Sequence, residues 1–135
     1  MLLLVLLATM SADDRVFHVI VNRSSSVQTL TREEVSAAFM KRVRRWPDGT
    51  YIEAIDQRPS SGLREAFSEE IHEKSVRYVI RYWQRLIFSG RGIPPREADA
   101  DEAVIDFVAG HNGAIGYVDA DTPLPETVRV IAVSQ

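Results

Sequence analysis

Short apolar runs alternate along this chain with segments whose apolar positions recur every three or four residues. The runs from Val16 to Val21 and from Tyr51 to Ile55 predict buried strands, and further strands are predicted over residues 114–118 and 128–133. Predicted helices separate these strands, which is typical of α/β folds. We therefore expect a single three-layer sandwich, in which a mostly parallel sheet is flanked by helices.

Four helices are predicted, each from a polar start that is followed by apolar residues on one face. The first covers about residues 31–43 and begins with a capping box, in which a Thr hydroxyl and a Glu carboxylate each accept a backbone N–H. In the third helix Trp83 falls on the apolar face, so we expect it in the core with Tyr82 at the rim. The four starts are predicted at Thr31 with Glu34, Ser60 with Ser61, Ser75, and Asp99 with Glu102.

The composition is that of an ordinary globular domain. The chain has 135 residues and a formal net charge of −3, which does not favour a nucleic-acid binder driven by bulk charge. It contains no cysteine, and this excludes disulfides, a thiolate zinc site and a cysteine nucleophile. His18, His72 and His111 are not at metal-binding spacing. No nucleophile, carboxylate pair or metal cluster stands at convincing spacing, so we expect no metal, no cofactor and no enzymatic activity.

One short segment is strongly basic. Lys41, Arg42, Arg44 and Arg45 precede Trp46 near the predicted end of the first helix. A nucleic-acid patch and a solvated helix end are the two interpretations of such a run. We favour the helix end, because cations there complement the negative end of the helix dipole.

The first twelve residues differ from the rest of the chain. Leu2 to Leu7 is an apolar run too short to span a bilayer, and small residues with the first charges follow it. This pattern predicts a signal peptide over residues 1–12 and a mature domain over 13–135. The prediction implies an exported, periplasmic protein that is not stably inserted in the membrane once the signal is removed.

The turn between the second strand and its helix carries the clearest chemistry. Free N–H groups at a helix start, together with the dipole, are suited to a small oxyanion such as phosphate. A Ser-capped helix with solvated arginines is the structural alternative. The candidate ligands are the hydroxyls and N–H groups of Ser60, Ser61, Gly62 and Leu63, with the cations Arg58 and Arg64.

Several motifs occur together in a recognisable order. They are Val19-Ile20-Val21-Asn22, the stretch from Phe39 to Gly49, the Ser61-Gly62 turn with Phe67, and the strand motif from Gly113 to Val118. In this order they resemble the phosphate ABC transporter substrate-binding protein family, of the type 2 periplasmic binding protein fold. The stretch from Tyr82 to Gly92 further resembles the short, single-lobe members of that group.

The resemblance implies a fold and a binding site. Family members have two lobes with phosphate in the cleft between them, and this chain corresponds to the second lobe. Their helix-start turn reads Ser-Gly-Thr, with an Arg four residues before the Ser. Here Ser61 and Gly62 match, while Leu63 stands at the Thr position and Gln57 at the Arg position. With these groups and one lobe missing, we expect a dissociation constant on the order of 0.1 to 10 mM for phosphate.

Two functions of different classes follow. The first is a periplasmic module that binds phosphate or a similar small oxyanion weakly. The second is an interaction or scaffold protein that binds no solute and pairs, through the face of the missing lobe, with itself as a homodimer or with an envelope protein. Bound anion at the turn, or its absence, distinguishes the two.

Overall fold

A five-stranded sheet lies at the centre of the fold. The structure, a computed structural model, describes residues 14–135, so the predicted signal peptide lies outside the described residues. The strand order in the main sheet is β4-β3-β5-β1-β6, and β2 pairs with β7 in a separate two-stranded sheet. The strands are β1 (Phe17–Asn22), β2 (Thr29–Thr31), β3 (Glu53–Gln57), β4 (Arg96–Ala98), β5 (Ala114–Asp119), β6 (Val128–Val130) and β7 (Ala132–Ser134).

The sheet is mixed, with one strand reversed. β3 is parallel to both β4 and β5, while β1 pairs antiparallel with β5 and β6. Four of the five strands therefore run in one direction and β1 runs against them. This confirms the predicted α/β class with a mostly parallel sheet.

Helices cover both faces of the sheet. The helices are α1 (Arg32–Phe39), α2 (Gly62–Phe67), α3 (Val76–Phe88) and α4 (Asp101–Gly110), and a π-helical turn (Ser68–His72) continues α2. Successive residues of β1 point to opposite faces, so Val19 lies in one core cluster with Phe39 of α1 and Ile20 lies in the other with Val104 of α4. The two core clusters make the fold a three-layer sandwich. Within residues 14–135, no helix is long and apolar enough to cross a bilayer.

The helix starts show how local sequence fixes these elements. Both hydrogen bonds of the capping box are present at α1, where the Thr31 hydroxyl accepts from Glu34 N–H and the Glu34 carboxylate accepts from Thr31 N–H. The predicted Asp99 cap is wrong, because Ala100 is the N-cap of α4 and makes no side-chain bond. Asp101, in the first turn, instead accepts from the Asp119 N–H at 3.0 Å.

The predicted C-terminal strand divides into two. The Ile131 N–H donates to the Val19 carbonyl at 3.0 Å between β6 and β7. After this point the chain leaves β1 and β7 pairs in parallel with β2. The two three-residue strands β2 and β4 were not predicted, and β3 begins two residues later than predicted.

Candidate anion-binding site

The predicted anion turn lies at the carboxyl edge of the sheet. It connects β3 to α2, and the Arg58 N–H donates to the carbonyl of Ala98, the last residue of β4, at 3.0 Å. The Ser61 N–H donates to the Arg58 carbonyl at 3.0 Å and closes the turn. In open α/β sheets, ligands bind outside the carboxyl ends of the strands. The turn therefore occupies the edge at which this class of fold places ligands.

The start of α2 combines a cap with an open position. Ser61 is the N-cap, and its hydroxyl oxygen accepts from the N–H groups of Leu63 at 3.2 Å and Arg64 at 3.4 Å. Among residues 14–135, no group accepts a hydrogen bond from the Gly62 N–H. A Cβ at Gly62 would meet no atom within 4 Å, so space lies open above this residue.

Arg58 and Ser60 are exposed on the same turn. They flank the open Gly62 position, and the half-buried Leu63 follows it. An anion at this place would meet a backbone N–H, a hydroxyl and a guanidinium on one short segment, at the positive end of the α2 dipole.

Two of the predicted site residues point inward. Arg64 is only 5% exposed. Its guanidinium donates to the Gln57 carbonyl at 3.1 Å and lies 3.5 Å from an Asp56 carboxylate oxygen and 3.4 Å from Glu97. Gln57 is also buried, and its amide donates to Asp101 at 2.9 Å and to the Tyr117 carbonyl at 3.0 Å. These two side chains fix the turn from beneath, whereas Arg58, Ser60 and Gly62 face solvent.

A buried carboxylate that the sequence did not reveal holds this network together. Asp56 accepts hydrogen bonds from the Tyr117 hydroxyl and, at 3.0 Å, from the Gln57 N–H. Burial raises the pKa of Asp56, and the nearby Arg64 guanidinium opposes the rise. Burial, with the Asp56 charge, likewise raises the pKa of Tyr117. Asp56 and Tyr117 are 61 positions apart, and no local pattern links them.

The network positions the turn. Asp56, Arg64 and Tyr117 are all buried, and Asp56 contacts both of the other two side chains. Within residues 14–135, no group of three or more His, Asp or Glu side chains is arranged to hold a metal ion.

Comparisons with known proteins agree with the α/β fold. A family model described as PBP superfamily domain matches residues 16–133. A proposed phosphate ABC transporter substrate-binding protein from Clostridium perfringens, solved with bound phosphate, is 17% identical, with a TM-score of 0.69 over 92% of this chain and 47% of that chain. An ABC-type phosphate transport receptor from Vibrio cholerae is 16% identical, with a TM-score of 0.69 over 92% of this chain and 48% of that one.

A third solved structure extends the same likeness. It is PstS from Borrelia burgdorferi, 13% identical, with a TM-score of 0.60 over 87% of this chain and 47% of that chain. No curated protein matches the chain. At these identities the likeness shows a shared fold, and the chain spans about half the length of the three solved proteins.

Proposed function

Since the chain belongs to the PBP superfamily domain family, we propose that it is a periplasmic single-lobe module that binds phosphate or a similar small oxyanion weakly. The observation that carries this proposal is the grouping of exposed Arg58, Ser60 and Gly62 at the carboxyl edge of the sheet. Solved proteins of the same fold include one with bound phosphate, which favours this ligand class. In this proposal the module binds its ligand without transforming it. Export rests on the predicted signal peptide.

Weak affinity follows from the groups that the turn offers. The Ser61 hydroxyl already caps α2, and the Arg64 charge is directed to Asp56 and Glu97. Arg58 is therefore the cation of the turn that remains exposed to solvent. A ligand held on one side stays partly hydrated, and salt screens its contact with Arg58. We expect a dissociation constant on the order of 0.1 to 10 mM.

A phosphate titration followed by NMR tests the proposal. Amide signals of residues 58–65 should shift with phosphate and with sulfate, and the Gly62 signal should move most because its N–H is open. Arg58→Gln should raise the dissociation constant about threefold to tenfold, since it removes a charge-assisted hydrogen bond at an exposed site. Arg77→Gln is the matched control, because Arg77 is an exposed cation on α3.

A second pair of variants separates binding from helix capping. Ser61→Ala removes the α2 cap, and Ser75→Ala removes the equivalent cap of α3, whose hydroxyl accepts from the Tyr78 N–H at 3.1 Å. Both should cost about 1 kcal/mol of stability. Only Ser61→Ala should also weaken phosphate binding. Phosphate at tens of millimolar that shifts no amide between residues 58 and 65 contradicts the binding proposal.

The scaffold function is the second candidate. It rests on the coverage of the relatives, because this chain spans about half of each. In this alternative the carboxyl edge pairs with a second copy or with an envelope protein. The same titration distinguishes the two candidates, since a scaffold at this edge needs no phosphate response.

A further inference from the structure

A cavity lies between the end of α1 and the second half of α3. Its volume is about 290 Å³, which is the size of a small-ligand site. Trp83 is 5% exposed and packs with Met40 and Val79. Tyr82 and Leu86, both half-buried, pack against the same cluster. The apolar lining of the cavity consists of Met40, Tyr82, Trp83, Leu86 and Ile93, of which Ile93 is exposed.

The remaining lining of this cavity is mostly cationic. Four cations line it, and no Asp or Glu of residues 14–135 does; the cations are Lys41, Arg42, Arg44 and Arg91. None of these four forms an ion pair with a residue of the described part of the chain. Burial, and then the neighbouring Arg44 charge, lowers the pKa of Lys41. No ion pair within the described part of the chain therefore neutralises the positive charges around the cavity.

The sequence concentrates cations in the two segments that build this cavity. Residues 41–45 and 74–96 hold ten of the sixteen Lys and Arg residues and no Asp or Glu. The rest of the chain carries six cations and all nineteen acidic residues. Such segregation produces a positive field that attracts anions locally, although the whole chain is acidic.

This cavity is separate from the anion turn. The Ile52 N–H donates to the Arg44 carbonyl at 2.9 Å just before β3 begins, and residues 91–93 precede the start of β4. The anion turn follows the other end of β3. The two sites thus lie at opposite edges of the sheet.

We propose that the cavity binds an organic phosphate, with its phosphate group among the four cations and its apolar part against Tyr82, Trp83 and Leu86. An apolar lining with a cationic rim matches a ligand that carries both characters. Arg44 and Arg91 supply forked donors that suit phosphate oxygens, and the apolar lining suits a ring or a hydrocarbon chain. A soluble phosphate ester and a phospholipid headgroup share this chemistry. The site does not depend on the function proposed for the turn.

Phenyl phosphate is the probe for the soluble form. The chain has two Trp residues, so its NMR spectrum has two indole N–H signals. The Trp83 signal and amides of residues 40–44 and 82–93 should shift on titration. The Trp46 indole donates to the Gly113 carbonyl and does not line the cavity, so its signal should stay in place. Phenol has only the aromatic ring of this probe, and inorganic phosphate has only its charged group. Each should therefore bind at this site at least about fivefold more weakly than phenyl phosphate.

Variants link the response to the cavity. Arg44→Gln combined with Arg91→Gln should raise the dissociation constant for phenyl phosphate about fivefold or more, because two exposed cation contacts are lost. Arg77→Gln should leave it unchanged, since Arg77 does not line the cavity, and neither does Arg58 of the turn. An Arg58→Gln variant that leaves phosphate binding at the turn unchanged would thus contradict only the function proposed for the turn. An unchanged Arg44→Gln and Arg91→Gln double variant would contradict only the proposal for this cavity.

Vesicles distinguish the two sources of phosphate. Binding to phosphatidylglycerol vesicles but not to phosphatidylcholine vesicles, with loss in the Arg44→Gln and Arg91→Gln double variant, supports the site and assigns a lipid headgroup. Selective binding of phenyl phosphate alone supports it and assigns a soluble ester. Equal Trp83 responses to phenol and phenyl phosphate overturn the proposal. An unchanged double variant, with either probe, also overturns it.

Discussion

At the scale of single residues, local sequence located the turn but not the direction of its side chains. The polar run after β3 and the serines before α2 place Ser60, Ser61 and Gly62 at a helix start, and the structure has them there. Arg64 lies on the same first turn, yet its guanidinium contacts Glu97, which is 33 positions away. Burial beside distant carboxylates fixes this orientation, and no pattern within the turn encodes it.

We expect His72 to make the stability of the protein depend on pH. His72 ends the π-helical turn, and its Nδ1 lies 2.7 Å from the Ser36 hydroxyl oxygen. Burial, with the charges of Arg42 and Arg64, lowers its pKa to about 4. In the unfolded chain the ordinary pKa is about 6.5, so the unfolded state takes up a proton first as the pH falls. The contribution of neutral His72 to the free energy of unfolding should be fully present above about pH 6.5. It should fall by up to about 3 kcal/mol as the pH decreases to about 4.

Urea unfolding between pH 4 and pH 8 measures this effect, with His72→Gln as the comparison. The variant should lose most of this pH dependence. At pH 8 the ring is neutral in both states, so any difference there reports only the lost contacts. Parallel stability curves for the two proteins over this range would show that His72 does not titrate on unfolding.

At the scale of elements, length decided what the sequence could predict. The four helices and β1 were predicted because their apolar pattern extends over six or more residues. The predicted end of the first helix near residue 43 is wrong, since α1 ends at Phe39 and the basic run from Lys41 to Arg45 follows it. β2 and β4 have three residues each, too few for a period to be seen. The division of the last strand at Ile131 depends on a hydrogen bond to Val19, which lies in a different part of the chain.

The close contact between β5 and α4 predicts how a larger residue at Gly116 affects stability. Gly116 lies in β5, and a Cβ there would be 2.6 Å from Val104 Cγ1 and 3.0 Å from Ile55 Cγ2. Gly116→Ala should therefore destabilise the protein by about 1 to 3 kcal/mol, because it overpacks the sheet against the helix. Thermal and urea unfolding measure the change. Gly110→Ala is the matched control, since a Cβ at Gly110 meets no atom within 4 Å. Its stability should be unchanged or higher by up to about 1 kcal/mol.

Over the whole fold, the buried core could be predicted from the sequence more easily than the distribution of charge. The composition gave a net charge of −3 and no indication of a cationic surface. The fold brings four cations of the basic segments 41–45 and 74–96 to one cavity, which the totals conceal; they are Lys41, Arg42, Arg44 and Arg91. The core was easier to predict, because the continuous apolar run of β1 and the helical periods already indicate which residues are buried.

The layered core leads to the prediction that the chain from Asp13 onward folds without a second lobe or a partner. Both faces of the sheet are covered, and the stacked rings of Phe67 and Tyr117, 3.8 Å apart, lie within the cluster on one of them. A domain of this size buries roughly two thirds of its unfolded surface. Unfolding should therefore be one cooperative transition, with circular dichroism and Trp fluorescence giving the same midpoint. Trp46 belongs to the main core and Trp83 to the α3 cluster, so fluorescence samples both. Separate midpoints would mean that α3 unfolds independently. A broad transition that sharpens only with a partner would mean that the lobe does not fold on its own.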